Sequence, residues 1–138
     1  MKRILVIDGM GGGIGRSLTA AIKERFKDVE VIACGTNALA TQAMLKAGAD
    51  IAVTGDSAIA FQVKRADAIC GSFGIVVPHA MHGELSPMVA ETVAGQEVPK
   101  FLLPLHKCHI RIAAPETDSL AESLDILLEQ LGAYLQEG

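Results

Sequence analysis

Two kinds of stretch take turns along this chain: short apolar runs, and longer segments in which apolar residues recur every three or four positions. The runs read as strands buried on both faces, and the periodic segments as helices with one face covered. Ile4-Leu5-Val6-Ile7 is the first run, and Ile14, Leu18, Ile22 and Phe26 then line one side of a predicted helix ending near Lys27. A second run over 29–34 stops at Gly35-Thr36-Asn37, where Thr36 or Asn37 is suited to cap a helix over 38–47. Residues 50–53 predict a third strand, 58–65 a third helix and 66–70 a fourth strand. Ile75-Val76-Val77 is apolar but ends at Pro78, and the pattern leaves open a short strand or a buried loop.

Ser86-Pro87 marks the start of a helix running to Ala94, because serine caps and proline fits the first helical position. Residues 99–105 predict a short fifth strand bracketed by Pro99 and Pro104, and residues 110–113 a sixth. Ser119 and Glu122 resemble a capping box, ahead of Leu120, Leu124, Leu127, Leu131 and Tyr134. Ile126, Leu128 and Leu135 widen that apolar face, which packs on the sheet and offers a dimer contact as the sharper reading. Strands alternating with helices in this way predict a three-layer α/β architecture over residues 1–138, a single domain. Its open sheet is mainly parallel, with five to six strands and helices on both faces.

Such sheets bind ligands beyond the carboxyl ends of their strands. Those ends carry Gly9, Gly11, Gly12, Gly13 and Gly15, then Thr36-Asn37, Gly71-Ser72 and His106-Lys107-Cys108-His109. Asp8-Gly9-Met10-Gly11-Gly12-Gly13-Ile14-Gly15-Arg16 is a strand, a glycine turn and a helix start in succession. Glycines let backbone N–H groups approach a phosphate, and the helix start adds partial positive charge.

The spacing narrows the ligand. Gly9, Gly13 and Gly15 stand as G-x-x-x-G-x-G, the form of short-chain reductases, whereas the commoner G-x-G-x-x-G fails at Ile14 or Arg16. The acid expected at the end of strand two is replaced by Cys34-Gly35-Thr36-Asn37, which disfavours NAD and leaves NADP or another nucleotide. The reductase Tyr-x-x-x-Lys pair is missing, since position 138, four residues after Tyr134, is glycine. A phosphate-loop NTPase is disfavoured too, with Arg16 in place of the loop lysine and Met10 where its first glycine belongs. Asp8 repels a phosphate unless a cation lies between them, and its plainer role is to accept turn N–H groups.

Half the residues are apolar, a fifth are charged and the mean hydropathy is +0.36, which points to apolar surface covered in a homo-oligomer. The net charge of −4 and the scattered basic residues argue against nucleic acid. The absence of a signal peptide or a spanning apolar run implies a cytoplasmic protein without a membrane partner. Cys34, Cys70 and Cys108 form no CxxC pair and are expected as reduced thiols. The histidines fall at 79, 82, 106 and 109 in spacings that match no closed zinc motif, so no metal is expected. Among candidate reactive groups are Glu84, His106, Cys108 and His109, with Cys108 placed between Lys107 and His109.

The ordered text Asp-Gly-x-Gly-Gly-Gly-Ile-Gly (8–15), Gly-Thr-Asn (35–37), Met-Leu-Lys-Ala-Gly-Ala-Asp (44–50), Gly-Glu-Leu-Ser-Pro (83–87) and Lys-Cys (107–108) resembles a family of short bacterial proteins, a domain of unknown function. The resemblance covers nearly the whole chain and implies a Rossmann-like fold without an assigned activity. The chain departs from that family in carrying His79 and His106 where asparagine is frequent, which counts against a family-wide metal site.

The leading expectation is a protein that binds a phosphate-bearing small molecule, a nucleotide or NADP-like cofactor. Gly9, Gly11, Gly12, Gly13, Ile14 and Gly15 would wrap the phosphate, Arg16 or Lys107 neutralise it, and Thr36-Asn37 contact a ribose or 2′-phosphate, with Gly71 and Ser72 alongside. Two alternatives stand beside it: a small transferase or hydrolase acting through Glu84, Cys108 and His106 or His109, and a non-catalytic sensor or subunit.

Overall fold

The computed structural model describes residues 1–104, 109–115 and 119–137. In chain order it contains β1 (Lys2–Asp8), α1 (Gly13–Arg25), β2 (Val29–Gly35), α2 (Ala38–Lys46), β3 (Ile51–Thr54), α3 (Asp56–Val63), β4 (Ala68–Ser72), a 3-10 turn (Phe73–Val76), α4 (Pro87–Ala94), β5 (Lys100–Leu103) and α5 (Leu120–Glu137). The strands form one sheet in the order β3-β2-β1-β4-β5, and every pairing is parallel. Because β2 and β3 lie on one side of β1 and β4 and β5 on the other, strand order reverses at β1. That reversal opens a crevice beyond the carboxyl end of β1, where open α/β sheets take ligands.

Alternation along β1 decides which helix covers which face. Ile4 and Val6 pack with Leu18 and Ile22 of α1, Met44 of α2, and Leu127, Leu128 and Leu131 of α5. Leu5 and Ile7 face the other way, against Ile59 and Val63 of α3, Val89 and Val93 of α4, and Ile75 and Leu85 of the intervening segment. The result is the three-layer α/β architecture that the pattern predicts. Each fully buried Ile or Leu stabilises it by roughly 1.5–3 kcal/mol.

Helix starts follow their capping residues. Asn37 Oδ1 accepts the Ala40 N–H at 2.9 Å to open α2, and Ser86 Oγ accepts the Val89 N–H at 3.1 Å ahead of Pro87 in α4. Ser119 Oγ accepts the Glu122 N–H at 3.1 Å, the serine half of the predicted box, and so caps α5. Helix α1 differs: its N-cap is Gly12, which has no side chain to offer.

The sequence pattern and the structure part at several places. Residues 110–113 form no strand: Ile110 and Arg111 are exposed, and the Ala114 N–H turns back to the Ile112 carbonyl at 2.9 Å. Two isoleucines around one arginine mimic strand alternation, but Ile110 stays exposed and the stretch pairs with no strand among the described residues. Among the described residues the sheet therefore has five strands. Residues 75–77 resolve into neither expected form, since the chain winds into the 3-10 turn after β4. Helix α1 stops at Arg25 because Phe26 turns extended (φ −116°, ψ 113°) and places its ring near the α5 glycine Gly132. On α5, the seam residues Leu124, Leu127, Leu131 and Tyr134 go into the sheet, while Ile126 faces out. Among the described residues no helix is long and apolar enough to cross a membrane.

Close approach of α1 to β1 and α2 depends on Gly15, where an added Cβ would lie 2.8 Å from Asp8 Cβ and 2.5 Å from Met44 Sδ. At Gly13, two residues earlier, the same atom would meet nothing within 4 Å. Gly15→Ala is therefore expected to destabilise the fold by about 1–3 kcal/mol. Gly13→Ala should leave stability unchanged or raise it by up to about 1 kcal/mol. Urea denaturation of both variants checks this pair; equal losses would mean that the two positions are packed alike.

Candidate functional site

The crevice at the reversal point is floored by Asp8-Gly9-Met10-Gly11-Gly12. The Gly12 N–H closes the turn on the Gly9 carbonyl at 2.9 Å, and the chain passes through left-handed conformations at Met10 (φ 51°) and Gly12 (φ 75°). Three of the five loop glycines are needed by the protein's own packing. A Cβ on Gly9 would collide with Thr36, with Met81 Sδ at 2.8 Å and with Glu84 Oε1 at 2.9 Å; one on Gly12 would lie 2.8 Å from Ala40 Cα. Gly15 is the third. Gly11 and Gly13 border open space, so nothing within the fold requires glycine there.

Following each backbone donor of the loop separates used from unused groups. The Met10 N–H goes to Glu84, the Gly12 N–H to Gly9, the Gly15 N–H to Asp8 and the Arg16 N–H to the Gly12 carbonyl. The N–H groups of Gly11, Gly13 and Ile14 have no partner among the described residues. They lie in the last turn of the loop and the uncapped first turn of α1, where helix N–H groups lack intrahelical acceptors. Unpaired donors at the positive end of a thirteen-residue helix are electrostatically suited to an anion.

One wall of the crevice comes from the segment between the 3-10 turn and α4. It is folded tightly on itself: the His79 N–H reaches the Leu85 carbonyl at 2.8 Å, the Gly83 N–H the His79 carbonyl at 2.9 Å and the Leu85 N–H the Ala80 carbonyl at 3.0 Å. His79, Met81 and His82 adopt left-handed φ angles of 64°, 60° and 58°, which cost L-residues roughly 1–2 kcal/mol each. Buried Leu85 anchors the segment in the core, and Glu84 is thereby held over the glycine loop.

Glu84 Oε1 accepts from the Met10 N–H at 3.0 Å, from Asn37 Nδ2 at 2.5 Å and from the Thr36 hydroxyl. Asn37 also donates to the Met10 carbonyl at 2.9 Å while capping α2, and the Thr36 N–H extends the β1–β2 ladder to the Asp8 carbonyl at 3.0 Å. One carboxylate thus joins the glycine loop, the end of β2 and the approach to α4. Partial burial raises the Glu84 pKa, but the hydrogen bonds from Thr36, Asn37 and Met10 outweigh it and hold the group below its ordinary value. Glu84 is ionised at neutral pH.

Asp8 behaves in the opposite way. Burial is the main influence and raises its pKa; the N–H groups of Gly15 (2.6 Å) and Gly9 oppose it, and neighbouring Glu84 adds to the rise. Its side chain accepts a turn N–H, the role expected for it, and lies behind the loop. Cys34 and Cys70 are buried thiols pushed up to about 12, inert packing groups at neutral pH.

Of the predicted site residues, Gly9, Gly11, Gly12, Gly13, Ile14, Gly15, Thr36 and Asn37 assemble around the crevice. Gly71 pairs with Ile7, so buried Ser72 comes level with Asp8 on the β4 side. Arg16 is exposed on the first turn of α1. Of the four reactive candidates, only Glu84 contacts the loop among the described residues. His109 is exposed, and His106 and Cys108, with Lys107, lie outside the described residues. His79 and His82 are exposed on the folded segment, and no group of three or more His, Cys, Asp or Glu side chains gathers among the described residues. Met81, whose sulfur packs over Gly9, carried no sequence signal, because a methionine inside a His-rich loop has no motif to mark it.

The profile of a family described as "Domain of unknown function (DUF3842)" matches residues 3–136. The fold is similar to that of the dodecameric FMN-dependent Ubix-like decarboxylase from Escherichia coli O157:H7. The TM-score is 0.59 with 17% sequence identity, over 96% of this chain and 95% of that one. No curated protein matches the chain in sequence.

Replacing Asp8 by asparagine tests the electrostatics behind the loop. A carboxyl whose folded pKa is raised contributes stability fully below its unfolded pKa, about 3.9, and loses it as pH rises through the folded value. The stability of the wild type relative to Asp8→Asn is therefore expected to fall as pH rises from about 4, then level off. Urea denaturation of both proteins between pH 3.5 and about 8 reads this difference; a difference that rises with pH would reverse the assignment.

Proposed function

The chain belongs to the DUF3842 family, and we propose that it binds a phosphate-bearing small molecule of the nucleotide class at the turn between β1 and α1. The observation that carries this reading is the set of N–H groups at Gly11, Gly13 and Ile14 with no partner among the described residues, together with the open space beside Gly11 and Gly13. N–H groups left over at a helix start are satisfied by water or by a ligand, and a phosphate brings several acceptor oxygens to such donors. The position at the reversal of strand order supports the same reading, as does a structural neighbour that uses the phosphate-bearing cofactor FMN. Glu84, the reactive candidate that the described residues bring beside the loop, is committed to three structural donors, which suits it to holding the site together.

We also infer self-association along the β3 edge of the sheet. Leu39 and Leu45 of α2, Ile51 of β3 and Phe61 of α3 are large apolar side chains left exposed on the elements that flank this edge, Leu39 at 67% and Phe61 at 59%. Unpaired strand edges and apolar patches of this kind are normally covered. Light scattering is expected to give a mass that is a multiple of 14.5 kDa for the wild type and a lower one for Leu39→Asp/Phe61→Asp. A monomeric wild type would refute the interface.

For the binding reading, thermal denaturation with FMN, NAD, NADP, AMP, ATP and coenzyme A is expected to show stabilisation by at least one compound. A ligand at 100 times its dissociation constant adds about 2.7 kcal/mol. Gly13→Val starts a side chain in open space, where the added Cβ has no heavy atom within 4 Å, so it should keep the melting temperature of the free protein and lose the ligand shift. A silent panel, or a shift that survives Gly13→Val, would overturn the assignment.

A further inference from the structure

Dinucleotide-binding sheets place an acidic residue at the end of β2 to accept the ribose hydroxyls, and this chain has Cys34-Gly35-Thr36-Asn37 there instead. The fold nevertheless brings a carboxylate to that position from a distant part of the chain. Glu84 is bound by Thr36 and Asn37, the two residues immediately beyond β2, and by Met10 of the glycine loop. Its carboxylate therefore lies between the phosphate-facing turn and the β2 end, where a nucleotide extending from that turn would place its sugar.

The geometry points to Glu84 as the ribose acceptor of this site, so that the ligand is a nucleotide with a free 2′,3′-diol and a 2′-phosphate is excluded. This rests on the binding reading above and specifies its ligand.

Three features of the site support it. The two oxygens of Glu84 are used unequally: Oε1 accepts all three protein donors, and the other oxygen has no partner among the described residues. A carboxylate fixed by one oxygen presents the second as an acceptor, which suits paired hydroxyl donors and repels a phosphate dianion. Secondly, the groups best suited to a 2′-phosphate, the Thr36 hydroxyl and the Asn37 amide, are already turned onto Glu84. Thirdly, the segment that delivers Glu84 holds three non-glycine residues in left-handed conformations within four positions, and strain of this kind concentrates at functional sites.

Calorimetric titration of the full chain and its Glu84→Gln and Gly13→Val variants with 5′-AMP, 2′-deoxy-AMP, adenosine 2′,5′-bisphosphate and FMN tests the assignment. Glutamine keeps a carbonyl oxygen for Met10, Thr36 and Asn37 but replaces the second acceptor by a donor, and thermal melting confirms that the variant is folded. The wild type is expected to bind AMP roughly tenfold or more tightly than either sugar-modified analogue, and Glu84→Gln to lose that preference. Equal binding of AMP and 2′-deoxy-AMP by the wild type overturns the ribose role. So does tighter AMP binding by Glu84→Gln, which would make Glu84 a plug that the ligand must displace. FMN binding that is lost in Gly13→Val, without AMP binding, sinks the ribose role but leaves the phosphate site standing. Binding that is unchanged in Gly13→Val removes both.

Discussion

Strand β1 is hydrogen-bonded along both edges and covered on both faces, and Ile4, Leu5, Val6 and Ile7 have no exposed surface. Every other element takes its position from that strand. Its even residues call α1, α2 and α5 to one face and its odd residues α3 and α4 to the other, while its parallel neighbours force the chain to cross over after each strand. A strand so enclosed can change direction only beyond its carboxyl end, which is where the glycine turn begins. The candidate site is thus a consequence of central burial: once β1 leaves the sheet, its polar backbone must find partners in a crevice lined by the ends of β2 and β4.

Electrostatics in that crevice are divided by position rather than by sign alone. Two carboxylates and one helix start lie close together, an arrangement that looks hostile to an anion. Asp8 lies behind the turn, where burial raises its pKa and the Gly15 N–H satisfies it. Glu84 lies on the β2 side, ionised, with three donors drawn to one oxygen. The donors at Gly11, Gly13 and Ile14, without a partner among the described residues, remain on the α1 side. A ligand with a phosphate at one end and hydroxyls at the other suits this polarity, and in the reversed orientation its phosphate would be repelled by Glu84.

Glycine content alone exaggerates how much of the turn serves a ligand. Gly9, Gly12 and Gly15 are glycine because Thr36, Met81, Ala40, Met44 and Asp8 leave no room for a Cβ. The motif therefore combines two demands, close packing between β1, α1 and α2, and exposure of backbone at Gly11 and Gly13. Local text cannot separate them, because both select the same residue for different reasons.

What the sequence determined by itself was local and periodic. Short apolar runs marked five strands, apolar spacings of three and four residues marked α1 and α5, and Thr36-Asn37, Ser86 and Ser119 announced helix starts that Asn37, Ser86 and Ser119 cap. These features depend on neighbours within a few positions, and so they can be read along the chain. Residues 110–113 misled for the same reason: alternation was present, but whether a layer covers it is not a local property. The acid at the end of β2 was legible only as missing from the text. Glu84 fills that place from 47 residues beyond Asn37, brought there by the reversal of strand order at β1 and by a segment held in left-handed turns. Only the tertiary structure decides such a contact, because the three donors that recruit the carboxylate lie on two separate segments, the glycine loop and the stretch after β2, and the carboxylate itself on a third.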